Sequence, residues 1–239
     1  MDNIILVDTS FTVFYRFFAS MRWFSMAHKD EMKKIKEINN YDWYTNKAFI
    51  EKYEKMFLTS IEKMVKKKVF KKSRIIFCLD SPKKTLWRTE ITDDYKGDRL
   101  DMSIKHNFKT TFKYTYDTMI PLLVSNNDHI HSIKVPELEA DDLVALSCKY
   151  IREKLEGKTI YLVSGDEDFL QLGSDDLYFV NYKKKKLFQL TSEEAADKLR
   201  LKLICGDKSD NIKCIYNKED KLSNKLKKQI KESKEELEK

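Results

Sequence analysis

Short apolar runs alternate along the chain with longer stretches of helical period. The runs are Ile4-Ile5-Leu6-Val7, Ile75-Ile76-Phe77-Cys78-Leu79, and residues 130–135, 159–163 and 177–180. Between them, apolar positions at helical spacing predict helices near residues 10–25, 46–69, 101–125, 139–156 and 191–204. The last opens with Thr191-Ser192-Glu193-Glu194, the pattern of a capping box. Strands alternating with helices predict an α/β fold, an open and mainly parallel sheet with helices on both faces. Several strands run straight into an acid or a small polar residue: Val7 into Asp8, Leu79 into Asp80, Val163 into Ser164-Gly165-Asp166. In open α/β sheets ligands bind at the carboxyl ends of the strands, so these residues mark the expected site.

Three segments break the alternation. Residues 81–100 are polar and charged, with Pro82 and Gly97 inside, and read as a long excursion of the kind that carries function. The run Lys183 to Lys186 reads as a solvated hairpin tip between two short strands. From Lys213 onward apolar residues thin out, and nine lysines face six acids, as in a polar helix or frayed tail. No internal repeat is visible.

A chain of 239 residues fits one large domain, or one domain with appendages. Its 41% apolar content supplies a core, and its 36% charged content a dense ionic surface. Five Gly and three Pro exclude collagen, elastic linkers and turn-rich β-sandwiches. Cys78, Cys148, Cys205 and Cys214 are widely spaced without a CxxC, so neither a disulfide framework nor a zinc ribbon is indicated. No apolar stretch reaches 18 residues, and Met1-Asp2-Asn3 leads straight into a strand-like run. Neither a signal peptide nor a membrane span is therefore expected, and the location expected is cytoplasmic or nuclear. The net charge of +7 points to an anionic partner, although lysine-rich solvated helices produce the same number.

Within this basic chain the acids collect at particular places. They are Asp8 and Asp80 at strand ends, Glu139-Ala140-Asp141-Asp142 at a helix start, Asp166-Glu167-Asp168 after a strand, and Asp207-Lys208-Ser209-Asp210 after a helix. Any one of them reads equally as a loop acid or helix cap. Together on one rim they would repel, by about 4 kcal/mol for two charges ~4 Å apart at an effective dielectric near 20. Cations must then compensate the cluster, or some of the acids must be protonated. Oxygen-only donors select Mg²⁺ or Mn²⁺ over zinc. Glu139 and Asp142 share one helix face, at the end where the helix dipole favours acids. His129 and His131 could point two imidazoles to one side of a strand, or sit as surface or core residues.

Five of these segments, in order, resemble the successive acidic motifs of the 5′-nuclease (flap endonuclease) family. They are Val7-Asp8, Leu79-Asp80, Glu139-Ala140-Asp141-Asp142, Ser164-Gly165-Asp166-Glu167-Asp168 and Gly206-Asp207-Lys208-Ser209-Asp210-Asn211-Ile212. The family includes phage 5′-exonucleases and the 5′–3′ exonuclease domain of bacterial DNA polymerase I. The resemblance implies a PIN-like domain over residues 1–212 and two Mg²⁺ (or Mn²⁺) ions held by Asp8, Asp80, Glu139, Asp141, Asp142, Asp166, Asp168, Asp207 and Asp210. It implies a divalent-metal-dependent 5′–3′ exonuclease or flap endonuclease of DNA replication and repair. The implied partner is DNA with a 5′ flap or 5′ end, extending to an RNA primer–DNA hybrid; a monomer and no membrane are expected.

Tyr95-Lys96-Gly97-Asp98-Arg99 is similar to the family's YKxxR-type motif, in a helical arch placed here at about residues 81–104. That likeness gives Lys96 and Arg99 the scissile phosphate to hold or polarise, and Tyr95 a base to stack on. Arg16, Lys202 and Lys213 are further phosphate-contact candidates or ordinary surface cations. The family pattern continues after Ile212 with Pro-Gly and a glycine hairpin that grips duplex backbone. Here Lys213-Cys214-Ile215-Tyr216-Asn217-Lys218 follows, without glycine, so residues 213–239 read as a divergent, shortened basic C-terminal segment. The wealth of Lys, Asn and Ile suggests an AT-rich genome, which fits a virus-encoded protein as it fits many parasites. Two other functions stand beside this one: a PIN-type ribonuclease, and a nucleic-acid-binding protein without activity.

Overall fold

The computed structural model describes residues 2–36, 40–91, 107–182 and 184–206. Tyr95, Lys96, Arg99, Asp207, Asp210 and Lys213, most of the expected arch, and the segment 213–239 lie outside these residues. Within them the strands are β1 (Asn3–Asp8), β2 (Ser73–Cys78), β3 (Ile130–Ile133), β4 (Thr159–Val163), β5 (Leu177–Asn181) and β6 (Lys186–Phe188). They form one sheet in the order β3-β2-β1-β4-β5-β6. All neighbours pair in parallel except β5 and β6, which are antiparallel.

The parallel register explains why the strands read as continuous apolar runs rather than as alternating ones. On β1, Ile5 and Val7 face one layer while Ile4 and Leu6 face the other, and all four are buried. The first layer holds α1 (Thr9–Ala27), α3 (Lys47–Val65), α6 (Phe108–Tyr114) and α7 (Ile120–Ser125). Its core is aromatic, with Phe17, Phe24, Trp43, Phe49, Tyr53 and Phe57 packed together. The second layer is α8 (Ala140–Lys154) with the 3₁₀ turn Asp168–Leu172, which contribute Leu143, Val144, Cys148, Ile151 and Phe169. Each such side chain stabilises the sandwich by ~1.5–3 kcal/mol.

The remaining helices are α2 (Lys29–Lys36), α4 (Lys67–Lys71), α5 (Trp87–Ile91) and α9 (Ser192–Cys205). The capping box expected at Thr191 is present: the Glu194 N–H donates to Thr191 Oγ1 at 3.2 Å, and the Thr191 N–H to Glu194 Oε2 at 2.8 Å. Gly206 closes α9 with φ of +68°, its N–H on the Lys202 carbonyl at 2.9 Å. The hairpin expected around the lysine run is the β5–β6 pair.

The chain departs from its apolar pattern in three places. Short α2 and the 3₁₀ turn Trp43–Thr45 fill a stretch without clear period, held by Trp43 in the aromatic core. The helix expected over 46–69 breaks after Val65, where Lys66 has φ of +72°. The described part of the helix expected over 101–125 is split by a π turn, Thr115–Met119, ahead of Pro121. Proline has no N–H to give to the carbonyl four residues back, which loosens the ladder at that point. Among the described residues no helix is long and apolar enough to cross a membrane.

Candidate active site

The strand order reverses direction at β1. From β1 the chain places β2 and β3 on one side and β4 and β5 on the other. The carboxyl ends of β1 and β4 therefore open a crevice, the place where open α/β sheets bind ligands. Asp8 stands in it. It is the last residue of β1 and the N-cap of α1, with Oδ1 accepting the Phe11 N–H at 3.1 Å and the Ser10 hydroxyl at 3.1 Å. Its other oxygen, Oδ2, accepts the Ser164 hydroxyl at 2.7 Å from the end of β4.

Asp8 is only 3% exposed. Burial pushes its carboxyl up to about 6; the hydrogen bonds from Ser164 and the Phe11 N–H work against that rise, and the charge of Asp80 adds to it. Asp80, two residues past β2, directs Oδ1 to the Ala140 N–H at 2.6 Å, in the first turn of α8. The π turn carries Tyr116, whose hydroxyl lies 3.5 Å from Asp80 Oδ2. Burial, then the Asp80 charge, raise the Tyr116 phenol above its ordinary range. It stays neutral, able to donate.

At the head of α8, Glu139 and Asp142 meet as their spacing predicts. The Glu139 N–H donates to Asp142 Oδ2 at 3.0 Å. Arg88 of α5 reaches both acids, with Nη1 and Nη2 on the two Asp142 oxygens at 2.7 Å and Nη1 on Glu139 Oε2 at 3.2 Å. Burial pushes the Asp142 carboxyl up. The Arg88 hydrogen bonds, the Glu139 N–H and the Arg88 charge together outweigh it and hold the group below the usual carboxylate range. Asp141, in the first turn of α8, is half-buried.

Across the crevice Asp166 is exposed, its N–H on Ser164 Oγ at 3.1 Å and its Oδ1 accepting the Asp168 N–H at 2.9 Å. Asp168 is ion-paired with Lys202 of α9. Arg16 lies in α1, 6% exposed, its guanidinium 4.4 Å from the Tyr15 ring centroid and 4.5 Å from that of Tyr182. Its Nε is buried without a hydrogen-bond partner. His131 sits in edge strand β3 with Nε2 likewise buried and unpartnered.

The structure thus joins Asp80 to the α8 N-terminus, and Asp8 to the Asp166 backbone through Ser164. Among the described residues no three Asp, Glu, His or Cys side chains converge as a metal cage. Two residues of this rim carry no role in the sequence reading. Ser164 was visible only as part of a motif, and Arg88 only as one basic residue of the excursion, beside Trp87.

A family model for the 5′–3′ exonuclease N-terminal, resolvase-like domain matches residues 3–200. DNA polymerase I of Streptococcus pneumoniae is 30% identical over 167 residues, 64% of this chain and 17% of that one. Ribonuclease H of Enterobacteria phage T4 is 28% identical over 179 residues, 69% of this chain and 54% of that one. The chain therefore spans between a sixth and about half of these relatives' lengths. The phage T5 5′-exonuclease shares the fold: a structure with bound zinc aligns with TM-score 0.60 at 17% identity, over 90% of this chain and 70% of that one. Another, described as a flap endonuclease complex with DNA and metal ions, aligns with TM-score 0.51 at 19% identity, over 69% and 62%. With its matched span running through β1 to α9, the chain belongs to the family of 5′–3′ exonuclease N-terminal, resolvase-like domains.

Proposed function

We propose that this protein hydrolyses phosphodiesters at the 5′ ends or 5′ flaps of DNA with the help of two divalent cations, Mg²⁺ or Mn²⁺, in replication or repair. The observation that carries this reading is the placement of Asp8, Asp80, Glu139 and Asp142 along one carboxyl-end rim, at the switch point of the family's sheet. The donor set fits hard cations, because every described candidate donates oxygen. The cations would supply charge on the phosphodiester oxygens and a more acidic attacking water.

The chain's own groups do the holding. Ser164 and the α1 amide orient Asp8, and the α8 amide orients Asp80, so both carboxylates point with fixed geometry. Asp141, Asp166 and Asp168 flank them, and Asp207 and Asp210 complete the set by motif position. Lys96 and Arg99 hold the scissile phosphate and Tyr95 stacks a base. Lys202 exchanges Asp168 for phosphate. An anion reaching Arg16 would satisfy its unpaired Nε, a buried donor that costs stability as it stands. Lys213 extends the track along the duplex. The domain reads as residues 1–212 with an arch at about 81–104 and a basic segment at 213–239. It acts as a monomer inside the cell.

A labelled 5′-flap duplex, an RNA primer–DNA hybrid and single-stranded RNA, each with Mg²⁺ or with EDTA, test the reading. Mg²⁺-dependent release of the 5′ flap is expected. Cleavage of single-stranded RNA alone would transfer the assignment to the ribonuclease class, and undiminished flap cleavage in EDTA would remove the cations from the reaction.

A further inference from the structure

Glu139 and Asp142 lie three residues apart at the head of α8 and are 9% and 15% exposed, so their charges are poorly screened. The cation that offsets one of these two charges comes from a different part of the chain. Arg88 sits on α5, whose first residue is pinned by the Trp87 N–H to the Glu137 carbonyl at 3.1 Å. The Trp87 indole N–H points at Asp142 Oδ2 from 3.4 Å, and the Arg88 guanidinium lies 4.5 Å from the Trp87 ring centroid. Stacking below and a two-pronged grip on Asp142 leave the guanidinium little freedom. Both Asp142 oxygens and Glu139 Oε2 are thereby directed at N–H donors. The same lone pairs cannot face a divalent cation in that arrangement, and a positive guanidinium beside a dication is repelled.

We propose that Arg88 is a positioning residue that stands in for the divalent cation: it offsets one of the two negative charges of Glu139 and Asp142 while no cation is bound and must be displaced from them when the cation binds. This rests on the reading that those two acids face the cation. Arg88 therefore sets the cation affinity of the site, lowering it in exchange for a rim that stays folded without metal.

Calorimetric titration of the full chain with Mn²⁺, alongside melts in EDTA and in saturating Mn²⁺, tests this with wild type, Arg88→Ala, Arg88→Gln and Arg88→Lys. Arg88→Ala is expected to bind Mn²⁺ about tenfold more tightly than wild type, the loss of a charge-assisted competitor. Arg88→Lys, which keeps the charge but not the fork, should fall between. The Ala variant should melt lower in EDTA and recover most of the difference in Mn²⁺. Should Ala prove too unstable to titrate, Gln and Lys carry the same ordering. Equal or weaker Mn²⁺ binding in the variants, with wild type binding normally, overturns the stand-in role and leaves the proposed function in place. Absence of Mn²⁺ binding in every protein, wild type included, removes the cation reading and this inference with it.

Discussion

The Ser164 hydroxyl donates to Asp8 Oδ2 at 2.7 Å while its oxygen accepts the Asp166 N–H at 3.1 Å. One small side chain thereby ties the end of β4 to the end of β1 at the point where the sheet changes direction. It also steadies a carboxylate that burial makes unfavourable as an ion.

That burial predicts a sign. The Asp8 carboxyl is raised from 3.8 to about 6 in the folded protein, so the native state holds a proton that the unfolded chain has already lost. Stability therefore falls as pH rises between roughly 4 and 6, and above that the full cost, on the order of 3 kcal/mol, is present. Asp8→Asn, which can still cap α1, is expected to melt several degrees above wild type at pH 7.5 in EDTA and to lose that advantage near pH 4. Flap cleavage should vanish in the same variant. A lower melting temperature at pH 7.5 would show that the charge is compensated in the free protein.

Gly165 is required by close approach. A Cβ built there lies 2.3 Å from Phe11 Cζ and 2.6 Å from Phe11 Cε2. That ring is stacked on Tyr15 at 5.9 Å and belongs to the first turns of α1. Gly165→Ala should cost ~1–3 kcal/mol in urea unfolding, as overpacking does. Truncating the ring with Phe11→Ala should absorb most of that cost, and strict additivity of the two substitutions would locate the strain elsewhere.

Lys96 and Arg99 are expected to act on the transition state more than on binding. Lys96→Ala should lower the single-turnover rate on a 5′ flap by roughly 10²–10³ at saturating enzyme. A normal rate with weaker binding would make Lys96 a simple phosphate contact.

With no glycine hairpin after Ile212, duplex binding through the basic segment should rest on lysine charge. Replacing Lys213, Lys218, Lys221 and Lys225 together by Ala should flatten the log–log salt dependence of binding by roughly three to four units. Cleavage chemistry at saturating enzyme should persist. An unchanged slope would mean that these lysines touch no phosphate.

The strands and the acids at their ends were legible because each is a local property, and the parallel sheet because strands alternating with helices favour that arrangement. A run such as Ile4-Ile5-Leu6-Val7 is apolar on both faces, and β1 is indeed buried on both. The rule that parallel strands share one carboxyl-end edge then placed Asp8 and Asp80 along that edge, where both stand. The pairing of Glu139 with Asp142 followed from helical spacing, and the Thr191 cap from its four-residue signature. The π turn before Pro121 escaped because apolar periodicity alone does not register the missing proline N–H.

Partnership between distant segments belonged to the tertiary structure alone. Arg88 and Asp142 are 54 positions apart, and Ser164 and Asp8 are 156 apart. Nothing in the sequence distinguishes Arg88 from the other cations of its excursion. Arg16, read as a phosphate contact or a surface cation, is buried beside the stacked rings of Tyr15 and Tyr182. Composition and period set which segments become strands and helices, because those depend on neighbours within a few residues. Which charge faces which carboxylate depends on how the sheet order and the crossovers bring those segments together, and only the folded chain decides that.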